Sequence, residues 1–320
     1  MQACVAADVP LVRQAWQRCV ERLFPPLPTD ALAKLFHQFI YDRYSEPQRH
    51  YHNLQHLEEM LAHLTQYETA HGWHGDYVPA LPINQESDAC LGLCAESHTS
   101  NAADAVRHDW TGTVLLLSIL FHDAVYDPKR GDNEEKSAEL AMDFLQIGEE
   151  QYKGWRGSLG IAALTIPSPS VLWTDARAAR FVRETTEDYI LKTKVHLSVE
   201  PVEKLQLSSP PTPSAAAKSH DDPLHVFLDL DLSILGHPDA STYRERYAAN
   251  IQREYSHYPR ADFLKGRSAF LNSFLSNPQW FKTPFFFAQL EAQARRNAAE
   301  EVTELTAELK EREVPAAPQA

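Results

Sequence analysis

Apolar residues recur at helical spacing along most of the chain. Between Pro10 and Leu23 they fall at Leu11, Ala15, Cys19 and Leu23, one face of a helix, and the prolines from Pro25 to Pro28 end it. The pattern predicts a second helix over 30–44, closed by the turn Ser45-Glu46-Pro47. Beyond it Leu54, Leu57, Leu61 and Leu64 recur at spacings of three and four behind Asn53, whose side chain suits an N-cap. The run TGTVLLLSILF is apolar without a period, which admits a buried strand or a buried helix, and its length and helical neighbours favour the helix. Further helices are predicted over 132–145, 155–164, 175–193, 241–255, 265–275 and 283–309.

Two stretches lose the period. Residues 75–109 are rich in Pro, Gly, Ser and Asn with isolated cysteines, and residues 198–222 contain SSPPTPSAAAKS. Both read as irregular insertions in one helical domain spanning 1–310, with a disordered tail over 311–320. With no internal repeat and no alternating strand, the expected fold class is all-α.

Composition narrows the functional classes. Of 320 residues, 43% are apolar and 23% charged, an ordinary globular balance. No apolar run approaches the ~20 residues needed to cross a bilayer, so no membrane partner is expected. The start of the chain lacks the basic and apolar pattern of a secretory signal, and the four cysteines, Cys4, Cys19, Cys90 and Cys94, are too few for a disulfide framework. A cytoplasmic location is the expectation. A net charge of -14 disfavours an extended nucleic-acid surface. Phosphate ligands remain compatible, because a bound metal supplies positive charge locally.

Several polar clusters interrupt the apolar pattern. His52 and His56 lie four apart at a helix start, so both can reach one site, although a His-rich surface turn would look the same. His122 and Asp123 follow the apolar run directly, where an ionised carboxylate needs a partner or a cation; a hydrogen bond ending the helix is the plainer alternative. In FLDLDLSILG, helical phase aims Asp231 into the apolar face and Asp229 nearly opposite, which makes Asp231 the inward acid. Were the segment a strand, both acids would share a face. Glu134 shares a face with Ser137, Ala138, Ala141 and Leu145, yet an acid in a first turn also suits the helix dipole. His196, closing ILKTKVH, is a further candidate ligand. Cys90, Cys94 and His98 lack the fourth ligand that structural zinc requires. No phosphate-binding Gly-rich loop and no nucleophile elbow is present.

In order, RHYHNLQHLEEML, LFHDAVYDP with DNEEKSAE, FLDLDLSILG and YAANIQREYSHYP resemble the HD superfamily of metal-dependent phosphohydrolases, in an uncharacterised branch. The resemblance runs from about Asp42 to Asn297, outside the two insertions. YHNLQH is also similar to the YHNxxH element of cyclic-nucleotide phosphodiesterases, whose other signatures, including a purine-clamping glutamine region, are absent. The resemblance implies metal ligands at His56, His122, Asp123 and Asp231 and a proton donor at His52. It implies hydrolysis of a phosphoester or phosphoanhydride of a small molecule, nucleotides among the candidates, with a divalent cation (Mn, Mg, Fe, Co or Zn). In that scheme Asp127 or Glu134 orients or deprotonates the attacking water and Arg49 offsets phosphate charge. Two other readings stand beside it: an HD-type di-iron oxygenase using His196 and Glu134 as extra ligands, and a catalytically silent nucleotide-binding module.

Overall fold

A computed structural model describes residues 9–71, 100–159, 172–211 and 221–313. They are helical throughout apart from connections and one isolated bridge, Gln206 to Ser209, so the fold is all-α as the periodicity predicts. Among the described residues no helix is long and apolar enough to cross a membrane.

Helix α1, Pro10–Leu23, begins with proline at its first position and ends where the proline-rich turn starts. Helix α2, Thr29–Phe36, continues through a π turn at His37–Tyr41 and a last turn at Asp42–Tyr44. Helix α3, Leu54–His71, is capped as expected, with the Asn53 Oδ1 accepting the Gln55 N–H at 2.8 Å. Helix α4, Ser100–Phe121, contains the apolar run, and every residue from Trp110 to Phe121 is buried. Burial on all sides explains why that run has no amphipathic period. Around α4 pack α1, α3, α5 (Asn133–Leu159), α6 (Ala176–Thr193) and α7 (Pro223–Asp231). A 3-10 turn at Ser233–Gly236 leads through a π turn at Tyr243–Ala248 to α8, Ala249–Glu254. Helix α9, Arg260–Ser276, then packs along the last helix, α10, Ala292–Glu313. The buried residues of these elements form one contiguous hydrophobic cluster.

Several boundaries differ from the expected ones. The first insertion ends earlier than residue 109, because α4 starts at Ser100 on a polar, alanine-containing turn that carries no apolar period. The helices expected over 132–145 and 155–164 are one helix to Leu159, and residues 160–164 lie outside the described ones. Gly148 falls inside that helix where a Cβ would stand 3.0 Å from the Leu23 carbonyl and 3.1 Å from Trp173. Its helix propensity is sacrificed for close approach. Residues 311–313, expected in the tail, belong to α10, which runs to Glu313, and residues 314–320 lie outside the described ones. The second insertion keeps its expected end: its described residues up to 211 are mainly turns and bends, and α7 starts behind the Asp222 N-cap.

Asp229 overturns part of the helical-phase argument. It does not face away from the core but is fully buried, because α7 is covered nearly all round. Its carboxylate accepts the N–H groups of Lys282 (2.7 Å) and Thr283 (2.8 Å) and the Thr283 hydroxyl (2.8 Å). It thereby anchors the start of the helical segment that leads into α10.

Candidate metal centre

Helix ends build the site. His56 lies in the first turn of α3, His122 and Asp123 directly follow α4, and Asp231 is the last residue of α7. Two helix C-termini therefore converge, and their partial negative charge favours a cation. His56 Nε2 and His122 Nε2 are 3.3 Å apart. Asp123 Oδ2 is 3.1 Å from His122 Nε2, and Asp231 Oδ1 is 3.2 Å from His56 Nε2 and 3.5 Å from His122 Nε2.

These spacings fit a metal. Ligand atoms held at ~2.1 Å from one ion, the usual length for imidazole and carboxylate on zinc, are themselves ~3.0–3.4 Å apart. His56, His122 and Asp123 form a donor group that can hold a metal ion, with all ligand atoms within 4.8 Å of one another. The imidazoles sit at the buried back of the site, whereas the two carboxylates keep a partly open edge. Each imidazole is oriented from behind. The His122 Nδ1–H donates to the Ile119 carbonyl at 3.0 Å, and His56 Nδ1 pairs with the Tyr51 hydroxyl at 3.1 Å. Both Nε2 atoms then point toward the two carboxylates.

The charges also call for a cation. Burial opposes ionisation of Asp231, yet His122 and hydrogen bonds from His122, His196 and His56 hold it well below the usual carboxylate range. Asp123 is likewise held low, against burial, by His122 and then His52. Burial would strip the proton from His122, but Asp123 and Asp231 raise it well above an ordinary histidine. His56 is lowered, chiefly by burial. Two carboxylates share one buried proton on His122, the position a divalent cation would neutralise more completely.

A cavity of about 970 Å³ opens from the carboxylate side and is lined by His52, Asp123, Tyr126, Glu134, His196 and Asp231, among others. His52 stacks on Tyr126 with ring centroids 4.1 Å apart, and its Nδ1–H donates to Glu254 Oε2 at 2.7 Å. The His52 Nε2–H is left for the cavity. Burial works to lower the His52 pKa, but Asp123, then the hydrogen bond and charge of Glu254, raise it above the ordinary value. His196 lines the cavity and hydrogen-bonds through Nε2 to Asp231 Oδ2 at 2.8 Å, which orients that carboxylate.

Glu254 escaped the sequence reading. Its Oε1 accepts the N–H groups of His50 (2.7 Å), Tyr51 (2.7 Å) and His52 (3.0 Å), while Oε2 takes His52 and the Tyr126 hydroxyl. One carboxylate from α8 thus fixes the whole loop ahead of α3. Burial opposes its ionisation, and His52 with the loop N–H groups brings it down to about 2. The usable signal was phase, because Glu254 stands three and seven residues after the buried Ile251 and Tyr247.

Two of the expected residues, Arg49 and Asp127, do not line the cavity. The Arg49 side chain is fully enclosed: its guanidinium donates to Glu46 Oε2 (3.0 Å) and to the carbonyls of His52 (3.0 Å), Asp123 (2.6 Å) and Ala124 (3.1 Å). It ties the two halves of the centre together and offers no donor to a phosphate. Asp127 does not line the cavity; its Oδ1 accepts the Lys129 N–H at 2.9 Å within a turn stapled by Asn133. Glu134 does line the cavity, 3.7 Å from Lys194 Nζ. Cys90, Cys94 and His98 lie outside the described residues.

Arg49→Ala is expected to destabilise the fold by about 3 kcal/mol, since it leaves buried carbonyls unsatisfied, and Arg49→Lys will not restore the fork. Urea denaturation reads the loss. A fully stable Arg49→Ala chain with a raised KM would instead return Arg49 to the substrate.

No family model, curated protein or solved structure matches this chain.

Proposed function

We propose that the chain is a metal-dependent phosphohydrolase of the HD type, acting on a small phosphoester or phosphoanhydride. The observation that supports this most is the meeting of the His56–His122–Asp123 donor group with a separate His52–Glu254 pair at one cavity. Asp231 completes the proposed ligand set, and mixed imidazole and carboxylate donors suit Mn, Fe, Co or Zn better than Mg. When bound, the cation supplies Lewis-acid charge for a phosphoryl group and acidifies water.

The remaining work falls to the side chains. His52, kept protonated by Glu254, delivers the proton on Nε2 to the leaving oxygen. Tyr126 fixes the ring plane, and His196 keeps Asp231 turned toward the ligand set. Of the two acids expected to receive the proton of the attacking water, only Glu134 lines the cavity. The di-iron reading needs a second donor group. Among the described residues no other cluster of three or more such donors occurs, and Glu134 faces Lys194.

The test is a phosphate-release screen of the chain loaded in turn with Mn, Fe, Co and Zn. The panel spans nucleotides, cyclic nucleotides, phosphosugars and diphosphates, with His122→Ala as control. Metal-dependent release that disappears in His122→Ala is the expected result. Release undiminished in that variant, or oxygen uptake in place of release, would overturn the reading.

A further inference from the structure

His196 is oriented differently from the other imidazoles of the centre. His56 and His122 are each fixed from behind through Nδ1, whereas the Nδ1 of His196 is buried and has no hydrogen-bond partner among the described residues. Only its Nε2 is engaged, on Asp231 Oδ2 at 2.8 Å. The direction of that ring is therefore set by the backbone that carries it. This backbone is a short wall of the cavity: all six residues from Thr193 to Ser198 line it, and Val195, between the two polar side chains, is 42% exposed.

Lys194 is the main polar tie between this wall and the rest of the fold. Its ammonium donates to the Gly131 carbonyl and to Glu135 Oε1, each at 2.6 Å, and lies 3.7 Å from Glu134 Oε2. It thus bridges the end of α6 to the start of α5, and Gly131 and Glu134 line the same cavity. Apart from His196, the remaining hydrogen bond from the wall to a distant element among the described residues is a long one, Asn277 Nδ2 to the Leu197 carbonyl at 3.5 Å. The bridge is solvent-exposed at both ends, 39% at Lys194 and 44% at Glu135. An exposed pair of this kind adds little to global stability, which suits a local latch.

Resting on the metal reading, we propose that Lys194 is a positioning residue of the metal centre: its bridge to Gly131 and Glu135 latches the 193–198 wall, and the latched wall holds His196 against Asp231. Lys194 makes no hydrogen bond to any of the four proposed ligands and acts through His196. Release of the latch moves the wall and His196 together, so opening this side of the cavity and loosening the Asp231 carboxylate are one event.

The full-length chain loaded with cobalt and challenged with excess EDTA tests this, with loss of the ion followed by its visible absorption. Ion loss is read in place of turnover because Glu134, beside Lys194, would register in turnover. Lys194→Met keeps the aliphatic stem and removes the charge, and cobalt loss is expected to be about fivefold faster than from the native chain. In a His196→Ala background the same substitution is expected to change the rate by less than about twofold, because the latch then has no ring to position. Glu135→Gln loosens the bridge from its other end and is expected to act in the same direction, so either variant alone suffices. Equal cobalt loss from the native chain and the latch variants, or an undiminished effect of Lys194→Met in the His196→Ala background, would overturn the proposal. A native chain that takes up no cobalt overturns the metal reading and with it the effect on the ion, and hydrogen exchange still judges the latch. The Ser198 and Val199 amides, bonded within the wall to Val195 and His196, are expected to exchange faster in Lys194→Met, and unchanged exchange would overturn it.

Discussion

Asp231→Ala is expected to lower hydrolysis by about a thousandfold and divalent-metal affinity by at least about a hundredfold, with the fold retained. The size follows from position. Asp231 Oδ1 stands within 3.5 Å of both imidazole Nε2 atoms, and its Oδ2 holds His196. Losing it leaves two neutral donors and a single carboxylate around the proposed dication, and frees the His196 ring from the one hydrogen-bond partner it has among the described residues. Steady-state kinetics of the folded variant, verified by circular dichroism, provide the check; a loss below about tenfold would remove Asp231 from the ligand set.

The second large effect is expected at Glu254. Glu254→Gln keeps an acceptor for the loop N–H groups but removes the charge facing His52, and kcat is expected to fall about a hundredfold. The pH profile identifies the cause. With a cation offsetting Asp123 and Asp231, Glu254 is the nearby carboxylate left to raise the His52 pKa. A general acid works while protonated, so the alkaline limb of the rate profile should move to lower pH in the variant. A purely structural role would lower the rate without moving that limb. Stability responds with the opposite sense of titration. Because the Glu254 pKa is depressed to about 2 from an ordinary 4.5, its contribution is complete above the ordinary value and is lost as pH falls toward 2. Glu254→Gln should therefore flatten the acid limb of the unfolding curve.

Much of this architecture was legible in the chain, for local reasons. Helix α1 was bounded at both ends by proline, and α3 by Asn53 with its leucine period, so no long-range information was needed. The polar pair after the apolar run also stood out, because a carboxylate there demands compensation. Contacts across the chain were not legible. Arg49 beside a histidine cluster has the look of a phosphate ligand until the backbone of Asp123 and Ala124, more than 70 residues away, folds onto it. Glu254 meets His52 across 202 residues, and in sequence it resembles any acid near the end of a surface helix. Asp231 was selected by a phase argument that was only half sound. Its partner Asp229 is the more deeply buried of the two, and what distinguishes them is their neighbours: N–H donors for Asp229, imidazoles for Asp231.

The proposed divalent-metal centre at His56, His122, Asp123 and Asp231 is open to calorimetric titration of manganese or zinc into the metal-stripped full-length chain, alongside Asp231→Ala. Saturable binding to the native chain with release of a proton is expected, because His122 must give up the one it shares with the carboxylates, together with a loss of at least about a hundredfold in the variant. Absence of binding to the native chain, or equal affinity in Asp231→Ala, would rule out the proposed centre.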